Sequence, residues 1–496
     1  MKTELHSHPQ SSITAAAVEQ WHEQYDVIIA GFGGAGACAA IAAADAGSSV
    51  LICDVASGSG GSTALSSAEL YLGAGTRVQK ACGYNDSIEA MYDYLMVSNG
   101  PEADSAKIRA YCEGSVEHFN WLVDLGVPFN DSEFKARAIV ATTDDGLLYT
   151  GSEKAWPYVT NITPAPRGHN LAIKGDHGGP LFMQILTAAA IQRGVEISFE
   201  TRALRLIEDR GEVVGLVVRR DMQERVIGCN QGVVLSAGGF VMNSEMLAQY
   251  APDLLRCNLP IGNAGDTGSG ILIGQGMGAA VNNMHQGFVS LPFYPPSSLT
   301  FGIFVNAQGK RFINEDCYHG RVGAHVLQQP PGPVYLVLSV EDYGKYETHS
   351  YLGAGIAATG ETLAELVADL DLPEGQLEQT IELYNRHAKQ LADPEFHKAG
   401  EWLKPLTAPY VALDCTPGRG VNMPYFTLGG LDTRVSGEVL TEAGAVIPGL
   451  YAAGRTACGV PRRADGYASG ISVGDASFSG RMAGAAAAAR EKQQRK

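Results

Sequence analysis

Apolar runs and alanine-rich segments alternate at the start of the chain. Residues 26–30 (DVIIA) are mostly apolar and run into a glycine, which is typical of a buried parallel strand. Residues 35–46 are alanine-rich and predict a helix, and residues 49–53 (SVLIC) form a second apolar run that Asp54 closes. The order strand, helix, strand predicts a βαβ unit, and with it an α/β fold of the Rossmann type.

The next two hundred residues or so follow the same two periodicities. Apolar residues at helical spacing predict helices over residues 86–99 and 104–125. Residues 195–234 alternate between apolar and polar positions as β-strands do, with a two-residue hairpin turn at Arg210 and Gly211. A glycine-rich loop that leads into a helix comes after these strands, so the segment predicts more of the first domain.

The composition changes near Asn283. From residue 284 to 407 aromatic residues and prolines cluster, and the helices predicted over 361–370 and 374–392 have apolar residues on one face only. We therefore predict an inserted α+β domain that acts as a lid, after which the chain returns to the first domain. The predicted organisation is a flexible arm at 1–22, a first domain at 23–283, the lid at 284–407 and the rest of the first domain at 408–496.

Charge and cysteine usage narrow the class of protein. The formal net charge of −17 argues against a nucleic-acid partner, because binding phosphates requires a basic surface. The nine cysteines are scattered without metal-binding spacing, which predicts no metal site and favours reduced thiols in the cytoplasm. The N-terminal stretch lacks the pattern of a secretory signal, and no apolar run is long enough for an integral membrane segment.

The turn after the first strand carries a phosphate-binding pattern. Residues 31–36 read GFGGAG, in which Gly31 permits a tight turn, Gly33 lets the backbone approach a pyrophosphate and Gly36 lets the helix pack on the strand. The start of the helix supplies the positive end of its dipole to the phosphates. Asp54, at the end of the second strand, is suited to accept a hydrogen bond from a ribose. This stretch predicts a dinucleotide cofactor.

A second small-residue loop (residues 57–64, SGSGGSTA) is suited to wrap around the same cofactor, although a flexible linker has a similar composition. No histidine lies between Asp54 and Gly75, which predicts that the cofactor is bound without a covalent link. The candidate cofactor-binding residues are Gly31, Gly33, Gly34, Ala35, Gly36, Asp54, Gly60, Gly61, Ser62, Thr63, Ala237, Gly238, Asp266, Gly454, Ser472 and Val473.

Six motifs occur in a characteristic order along residues 25–485. They are GFGGAG with Asp54, GSGGSTA, SAGGF at 236–240, GKRFINED at 309–316, TLGGL at 427–431 and PGLYAAG at 448–454. Together they resemble the FAD-dependent family of flavocytochrome-type fumarate reductases and 3-ketosteroid dehydrogenases. The resemblance implies non-covalent FAD, a glutathione-reductase-like FAD-binding domain and an inserted catalytic lid domain.

Two departures from the fumarate reductase pattern bear on the substrate. The arginine that normally follows the GKRF-NE motif is missing from residues 316–319, and the next arginine is Arg321. The histidine usually found before the T-x-GG motif is replaced by Tyr425 or Phe426. Both departures make the reduction of a dicarboxylate doubtful.

The catalytic positions resemble instead those of the 3-ketosteroid Δ4-(5α)-dehydrogenases. Tyr318 follows the lid motif, and residues 466–470 read GYASG. The resemblance implies that Tyr467, with the N–H of Gly470, polarises a substrate carbonyl. Tyr318 and Ser469 are then left to remove the proton, and the sequence does not decide which of them acts first. The N-terminus of the helix over residues 471–488 is expected to point at the flavin.

The function expected from these residues is that of a 3-oxo-5α-steroid 4-dehydrogenase, which removes a proton from C4 and transfers a hydride from C5 to flavin N5. The apolar stretch 291–296 is expected to line the steroid slot, and the electron acceptor is unidentified. A monomer and a homodimer are both compatible with the sequence. The alternatives are a Δ1-dehydrogenase, a fumarate or urocanate reductase that uses Arg311 and Arg321, and a flavin carrier without a substrate.

Overall fold

The computed structural model describes residues 11–343 and 352–492. The strands of this part of the chain are β1 Ile13–Thr14, β2 Glu23–Ala30, β3 Val50–Cys53, β4 Leu70–Tyr71, β5 Leu147–Leu148, β6 Gly168–His169, β7 Glu196–Ser198, β8 Arg202–Asp209, β9 Glu212–Arg220, β10 Gln223–Leu235, β11 Leu259–Pro260, β12 Val281–Asn282, β13 Gly287–Val289, β14 Ile303–Val305, β15 Tyr335–Ser339, β16 Ile356–Gly360, β17 Tyr410–Asp414, β18 Pro424–Thr427, β19 Gly430–Leu431, β20 Glu438–Leu440 and β21 Val446–Ala452.

The α-helices of the same residues match most of the predicted ones to within a few positions. They are α1 Gly34–Asp45, α2 Arg77–Ala81, α3 Ile88–Asn99, α4 Ser105–Asp124, α5 Gly178–Gln192, α6 Ser244–Tyr250, α7 Ser269–Gln275, α8 His319–Leu327, α9 Val340–Tyr343, α10 Leu363–Asp369, α11 Gln376–Ala388 and α12 Ile471–Ala489.

A nine-stranded sheet forms the main domain. Its centre is parallel: β10 pairs with β2, β2 with β3, and β3 with β7, while β21 pairs with the end of β10. The predicted βαβ unit is confirmed, with Val27 opposite Val50 and Ala30 opposite Cys53. Because these strands are buried on both faces, they read as continuous apolar runs in the sequence.

An antiparallel flank of β8, β9 and β10 extends this sheet. The predicted hairpin is confirmed between Asp209 and Glu212, and both turn residues, Arg210 and Gly211, have positive φ angles of 53° and 82°. Of the predicted flexible arm, residues 1–10 lie outside the described residues, and β1 pairs in parallel with β8 at the edge of the sheet.

Helices α1 and α12 pack against each other with their backbones almost in contact. A Cβ atom at Gly480 would lie 2.2 Å from the carbonyl oxygen of Ala35, and one at Gly484 would lie 2.1 Å from that of Ala39. Side chains at these two positions would therefore force the helices apart. The contact joins the N-terminal and C-terminal parts of the chain next to the carboxyl ends of β2 and β10.

The lid contains its own sheet, in the order β14, β15, β17, β16, with α10 and α11 packed on it. Strand β17 lies beyond residue 407, where the sequence predicted the end of the lid, so the lid sheet extends further along the chain than expected. The chain then enters β18, which pairs with β11 and β13 and connects the lid to the main domain.

Candidate active site

A cavity of about 530 Å³ lies between the carboxyl ends of the parallel strands, the first turns of α1 and α12, and the lid. Residues at the ends of β2, β3 and β10 form one half of its wall. The edge of a parallel sheet where the strands end is where α/β folds bind their ligands. The other half of the wall comes from β13, the start of α8 and the loop before α12.

Most of the residues predicted to bind the cofactor line the first half of this cavity. They are Gly31, Gly33, Gly34, Ala35, Asp54, Gly61, Ser62, Thr63, Ala237, Gly238, Asp266, Gly454, Ser472 and Val473. The other two, Gly36 and Gly60, are not among the described residues that line the cavity. Gly36 packs under the carbonyl oxygen of Gly31, and the N–H of Gly60 donates to the carbonyl of Phe32 at 2.9 Å.

Two helix N-termini open into the cavity. The first N-cap is Gly33 and the second is Gly470, and neither glycine has a side chain that could cap its helix. In the first turn of α1, Thr63 Oγ1 accepts the N–H of Gly34 at 3.1 Å. The N–H groups of these first turns and the positive ends of two helix dipoles favour anionic groups such as a diphosphate. Gly31, with a φ of +109°, has no room for a Cβ, which would lie 2.5 Å from the carbonyl oxygen of Ser236. The residues present therefore fit FAD.

Two of the predicted cofactor-binding residues at the cavity wall are carboxylates, Asp54 and Asp266. Asp54 accepts hydrogen bonds from the N–H groups of Phe32 and Ala56, at 2.5 and 2.8 Å, and stays at the cavity wall where the sequence predicted a ribose contact. Asp266 accepts from the hydroxyl of Ser62 and from Arg455, both at 2.6 Å. Arg455 was not predicted, although it directly follows the PGLYAAG motif that ends at Gly454.

The structure brings the four predicted catalytic residues together. The hydroxyls of Tyr318 and Ser469 are hydrogen-bonded to each other at 2.6 Å, and the Tyr467 hydroxyl donates to Ser472 Oγ at 2.9 Å. All four line the cavity, with the two tyrosine rings 6.5 Å apart and Gly470 at the N-cap of α12. The hydroxyl of Thr150 fixes this loop by donating to the carbonyl of Ser469 at 3.0 Å.

Burial controls the protonation of both tyrosines. Burial raises the pKa of Tyr467 to about 12. Burial, together with the nearby Tyr467 phenol, also raises the pKa of Tyr318 well above its usual value. Both phenols are therefore protonated at neutral pH and act there as hydrogen-bond donors.

The apolar wall differs from the prediction. Of the stretch 291–296, only Pro292 is among the described residues that line the cavity. Phe293 and Tyr294 instead pack within the protein, where the guanidinium of Arg137 lies 4.0 Å from the centre of the Tyr294 ring. Phe288 and Phe426 line the cavity in their place, and the Phe288 ring is 4.5 Å from that of Tyr467.

Two titratable side chains near Tyr318 were not predicted. The imidazole of His319 lies 4.0 Å from the Tyr318 ring and its Nδ1 is hydrogen-bonded to Ser290 at 2.6 Å. Burial lowers the pKa of His319 to about 3, so the ring is neutral. Glu69 lines the same cavity and is 2% exposed. The sequence signal for it is an acidic residue inside the otherwise apolar stretch 68–72 (AELYL).

The arginines that a dicarboxylate site would require are paired elsewhere. Arg311 forms ion pairs with Glu315 and Asp393, both at 2.7 Å. Arg321 pairs with Asp465 at 2.7 Å. Neither arginine is among the described residues that line the cavity.

The chain matches the family model described as FAD binding domain (FAD_binding_2) over residues 26–470. The chain belongs to this FAD-binding family. FAD is thus the cofactor, and the predicted fold, a Rossmann-type FAD domain with a capping domain, is confirmed. The predicted resemblance to FAD-dependent 3-ketosteroid dehydrogenases and fumarate reductases is confirmed as well.

Solved members of the family superpose on nearly the whole chain. A 3-ketosteroid-delta4-(5alpha)-dehydrogenase from Rhodococcus jostii RHA1 is 41% identical with a TM-score of 0.92, over 97% of this chain and 100% of that one. A flavocytochrome c3 fumarate reductase is 26% identical with a TM-score of 0.66, over 94% of this chain and 78% of that one.

Curated relatives include an NADH:fumarate oxidoreductase from Klebsiella pneumoniae (strain 342), 28% identical over 94% of this chain, which spans 48% of that protein's length. A 3-oxosteroid 1-dehydrogenase from Mycobacterium tuberculosis H37Rv is 25% identical over 88% of this chain and 94% of its own length. None of the helices in the described residues is long and apolar enough to cross a bilayer. The same residues contain no group of His, Cys, Asp or Glu side chains placed to hold a metal ion.

Proposed function

We propose that this chain is a 3-oxo-5α-steroid 4-dehydrogenase, which oxidises ring A of a 3-ketosteroid at the C4–C5 bond. The observation that carries the proposal is the hydrogen-bonded pair of Tyr318 and Ser469, 2.6 Å apart, facing Tyr467 in one cavity. The 41% identity to the Rhodococcus jostii dehydrogenase over the whole chain supports the same substrate class.

The chemistry of the wall favours a neutral, apolar substrate. Phe288, Pro292 and Phe426 present apolar surface next to the two tyrosines. A dicarboxylate would need cationic anchors, because burying an unpaired carboxylate is costly. The charges of Arg311 and Arg321 are already neutralised by buried carboxylates, which argues against fumarate as the substrate.

Tyr467 is suited to polarise the ketone. A turn of its hydroxyl about the C–O bond redirects the hydrogen bond from Ser472 to a substrate oxygen, and Ser472 can then donate back to the Tyr467 oxygen. The N–H of Gly470 at the start of α12 adds a second donor and the positive end of the helix dipole. Such oriented donors stabilise the charge that builds on the oxygen as the neighbouring proton leaves.

The Tyr318–Ser469 pair is suited to handle that proton. In the proposed reaction one of the two hydroxyls removes the proton from C4 and the other passes it on through their hydrogen bond. FAD, when bound, accepts the hydride from C5. Phe288 and Pro292 make the lid side of the cavity wall apolar, and such low-dielectric surroundings strengthen hydrogen bonds to the reacting ketone.

An anaerobic titration of the holoenzyme tests this function. A 5α-reduced 3-ketosteroid should bleach the yellow flavin absorbance and give the ultraviolet absorbance of a 3-keto-4-ene product. A 3-keto-4-ene steroid, which has no hydrogen on C5 to transfer as hydride, should leave the flavin oxidised. Fumarate should not reoxidise the photoreduced enzyme.

Each contrary result identifies an alternative. Bleaching by the 3-keto-4-ene steroid would point to a Δ1-dehydrogenase. Reoxidation by fumarate would point to a fumarate-type reductase. If the flavin responds to none of these compounds, the remaining interpretation is an electron carrier that has no substrate of its own.

A further inference from the structure

The cavity contains a buried carboxyl group for which the proposed reaction has no role yet. Glu69 comes immediately before β4 and lines the same cavity as Tyr318, Tyr467 and Ser469. Its Oε1 atom is buried and has no hydrogen-bond partner among the described residues. A buried polar atom without a partner costs free energy, and such groups concentrate at functional sites.

The backbone of Glu69 lies next to Gly470, in the loop (residues 466–470) that carries Tyr467 and Ser469. The N–H of Tyr71 donates to the carbonyl of Gly470 at 3.1 Å. A Cβ atom at Gly470 would come within 3.0 Å of the carbonyl carbon and oxygen of Glu69. The backbone of Glu69 therefore lies next to that of Gly470, and the side chains of Glu69 and Ser469 line the same cavity. The charge of Glu69 influences both Tyr318 and Tyr467.

The proposed reaction requires a proton acceptor that the tyrosines do not supply. The pKa of Tyr318 is raised rather than lowered, so its phenolate is not available at neutral pH. A serine alcohol is a still weaker base, and the low pKa of His319 makes its neutral ring a poor proton acceptor. The pair of hydroxyls can therefore relay a proton but cannot retain it.

We propose that Glu69 is the terminal proton acceptor of this site, receiving the proton that Tyr318 and Ser469 remove from the substrate. The inference rests on the proposed function. The C4–H bond breaks and its electron pair becomes the new C4–C5 double bond, while the hydride leaves C5 for the cofactor. The proton ends on the carboxylate of Glu69, so atoms and electrons balance.

The surroundings of Glu69 support this role. Burial, with the neighbouring charge of Glu153, raises the pKa of Glu69 to about 8, which is close to neutral pH. Burial raises the pKa of Glu153 too, but Arg167 and a hydrogen bond from Tyr71 partly offset that rise. Glu69 lacks comparable compensation. Besides the two tyrosines, the charged or titratable groups elsewhere on the described cavity wall are Cys53, Asp54, Asp176, Arg202, Asp266, His319 and Arg455.

The first test is the pH dependence of the anaerobic bleaching rate in a single turnover with a 5α-reduced 3-ketosteroid. The wild-type rate should rise about tenfold per pH unit and level off near pH 8, because the ionised carboxylate is the form that accepts the proton. Glu69→Gln should slow bleaching by about 10²-fold or more and remove this rise. Glu89→Gln, an exposed position, should keep both the rate and the profile.

The second test needs no substrate. Infrared difference spectra of the oxidised holoenzyme should show a neutral carboxyl band that disappears with a midpoint near pH 8 and is absent in Glu69→Gln. Glu153→Gln removes the neighbouring charge, so it should move this midpoint, and the rise in the bleaching rate, to lower pH.

A Glu69→Gln variant that keeps the wild-type rate and pH profile would overturn the proposal. So would a wild-type enzyme without the infrared titration. If the steroid fails to bleach the wild-type flavin, the proposed function is wrong, and the infrared midpoint still decides whether Glu69 is the titrating acid of the cavity.

Discussion

At the scale of single residues, burial shifts the pKa values of two kinds of acid in the cavity, the phenols of Tyr318 and Tyr467 and the carboxyl of Glu69. Burial keeps the phenols of Tyr318 and Tyr467 protonated, whereas it brings the pKa of the Glu69 carboxyl close to neutral pH. Desolvation raises the pKa values of both kinds of group, but the consequences at neutral pH differ. A phenol becomes a reliable donor, and a carboxylate becomes a stronger base.

Tyr467→Phe tests the donor. We expect flavin reduction by a 5α-reduced 3-ketosteroid to slow by about 10²–10³-fold, because one of the donors to the developing oxyanion is lost. FAD content, measured from the absorbance of the purified protein, should not change. Tyr425→Phe is the matched control, since Tyr425 neighbours Phe426 but is not among the described residues lining the cavity. Equal rates in the two variants would contradict the role of Tyr467.

Glu69→Gln also makes a prediction about stability. The folded pKa of Glu69, about 8, lies above its value in an unfolded chain, so ionisation of the unfolded state weakens folding as the pH rises from about 4.5 to 8. Glutamine does not titrate. The melting temperature of the variant relative to wild type should therefore increase over this pH range and change no further above it. A difference that is constant between pH 5 and 8 would contradict the raised pKa.

The sequence identified the four catalytic candidates because each lies in a motif with a recognisable spacing. It missed Glu69, Phe288 and His319, since the identity of a side chain does not reveal its neighbours. An isolated glutamate between apolar residues is compatible with a surface position, and only the fold shows that Glu69 is buried at the cavity wall. The aromatic stretch 291–296 had the composition of a steroid slot, but the packing of Phe293 and Tyr294 directed most of it elsewhere.

At the scale of elements, the contact between α1 and α12 places both helix N-termini at the wall of the cavity. The two helices approach closely because Gly480 and Gly484 leave no side chain between them and the backbone of α1. The sequence predicted both helices correctly, since each shows a long run of small residues. It did not predict that they touch, because the contact depends on two glycines more than 440 residues from their partners.

Gly480→Ala tests this contact. The added Cβ would lie 2.2 Å from the Ala35 carbonyl, so we expect a loss of about 1–3 kcal/mol in stability. The displaced helix should also weaken FAD binding, seen as flavin lost during gel filtration. Gly355→Ala is the control, because a Cβ at Gly355 meets nothing within 4 Å and Gly355 is not among the described residues lining the cavity. Similar melting temperatures and flavin contents in the two variants would contradict the close contact.

Strand β17 shows that the sequence can indicate a strand without indicating which strands it pairs with. Its sequence (YVALD) identifies a strand, but pairing with β15 and β16 rather than with the main sheet is decided by contacts distant in the chain. The predicted domain boundary at residue 407 therefore fell before the last strand of the lid. Local pattern predicts that an element exists, whereas its partner depends on the whole fold.

At the scale of the whole molecule, an ion pair joins the lid to the loop that precedes α12. Arg321 on α8 contacts Asp465, and His325 on the same helix contacts the same carboxylate at 2.8 Å. Burial acts to raise the pKa of Asp465, but the hydrogen bond from His325 and the charge of Arg321 outweigh this effect and hold that pKa below its usual value. The stabilisation is present above the unfolded pKa and is lost as the pH falls through the folded value.

Asp465→Asn should therefore lower stability at neutral pH by about 3 kcal/mol, because it leaves a buried arginine without its charged partner. Thermal and urea unfolding at pH 7 measure this loss, which should shrink in acid. Glu382→Gln is the control, since it breaks an exposed pair with Arg386 and should cost about 0.5 kcal/mol or less. Equal losses in the two variants would mean that the Arg321 pair does not hold the lid.

The packing of α12 on α1 also has a consequence for biosynthesis. The phosphate-binding turn is made near residue 33, but the wall that completes its cavity includes Ser472 and Val473. A nascent chain exposes the turn long before the ribosome has produced the helix that closes over it. The cavity wall is therefore incomplete until α12 has been made, and we expect a chain that ends before residue 471 to retain no flavin.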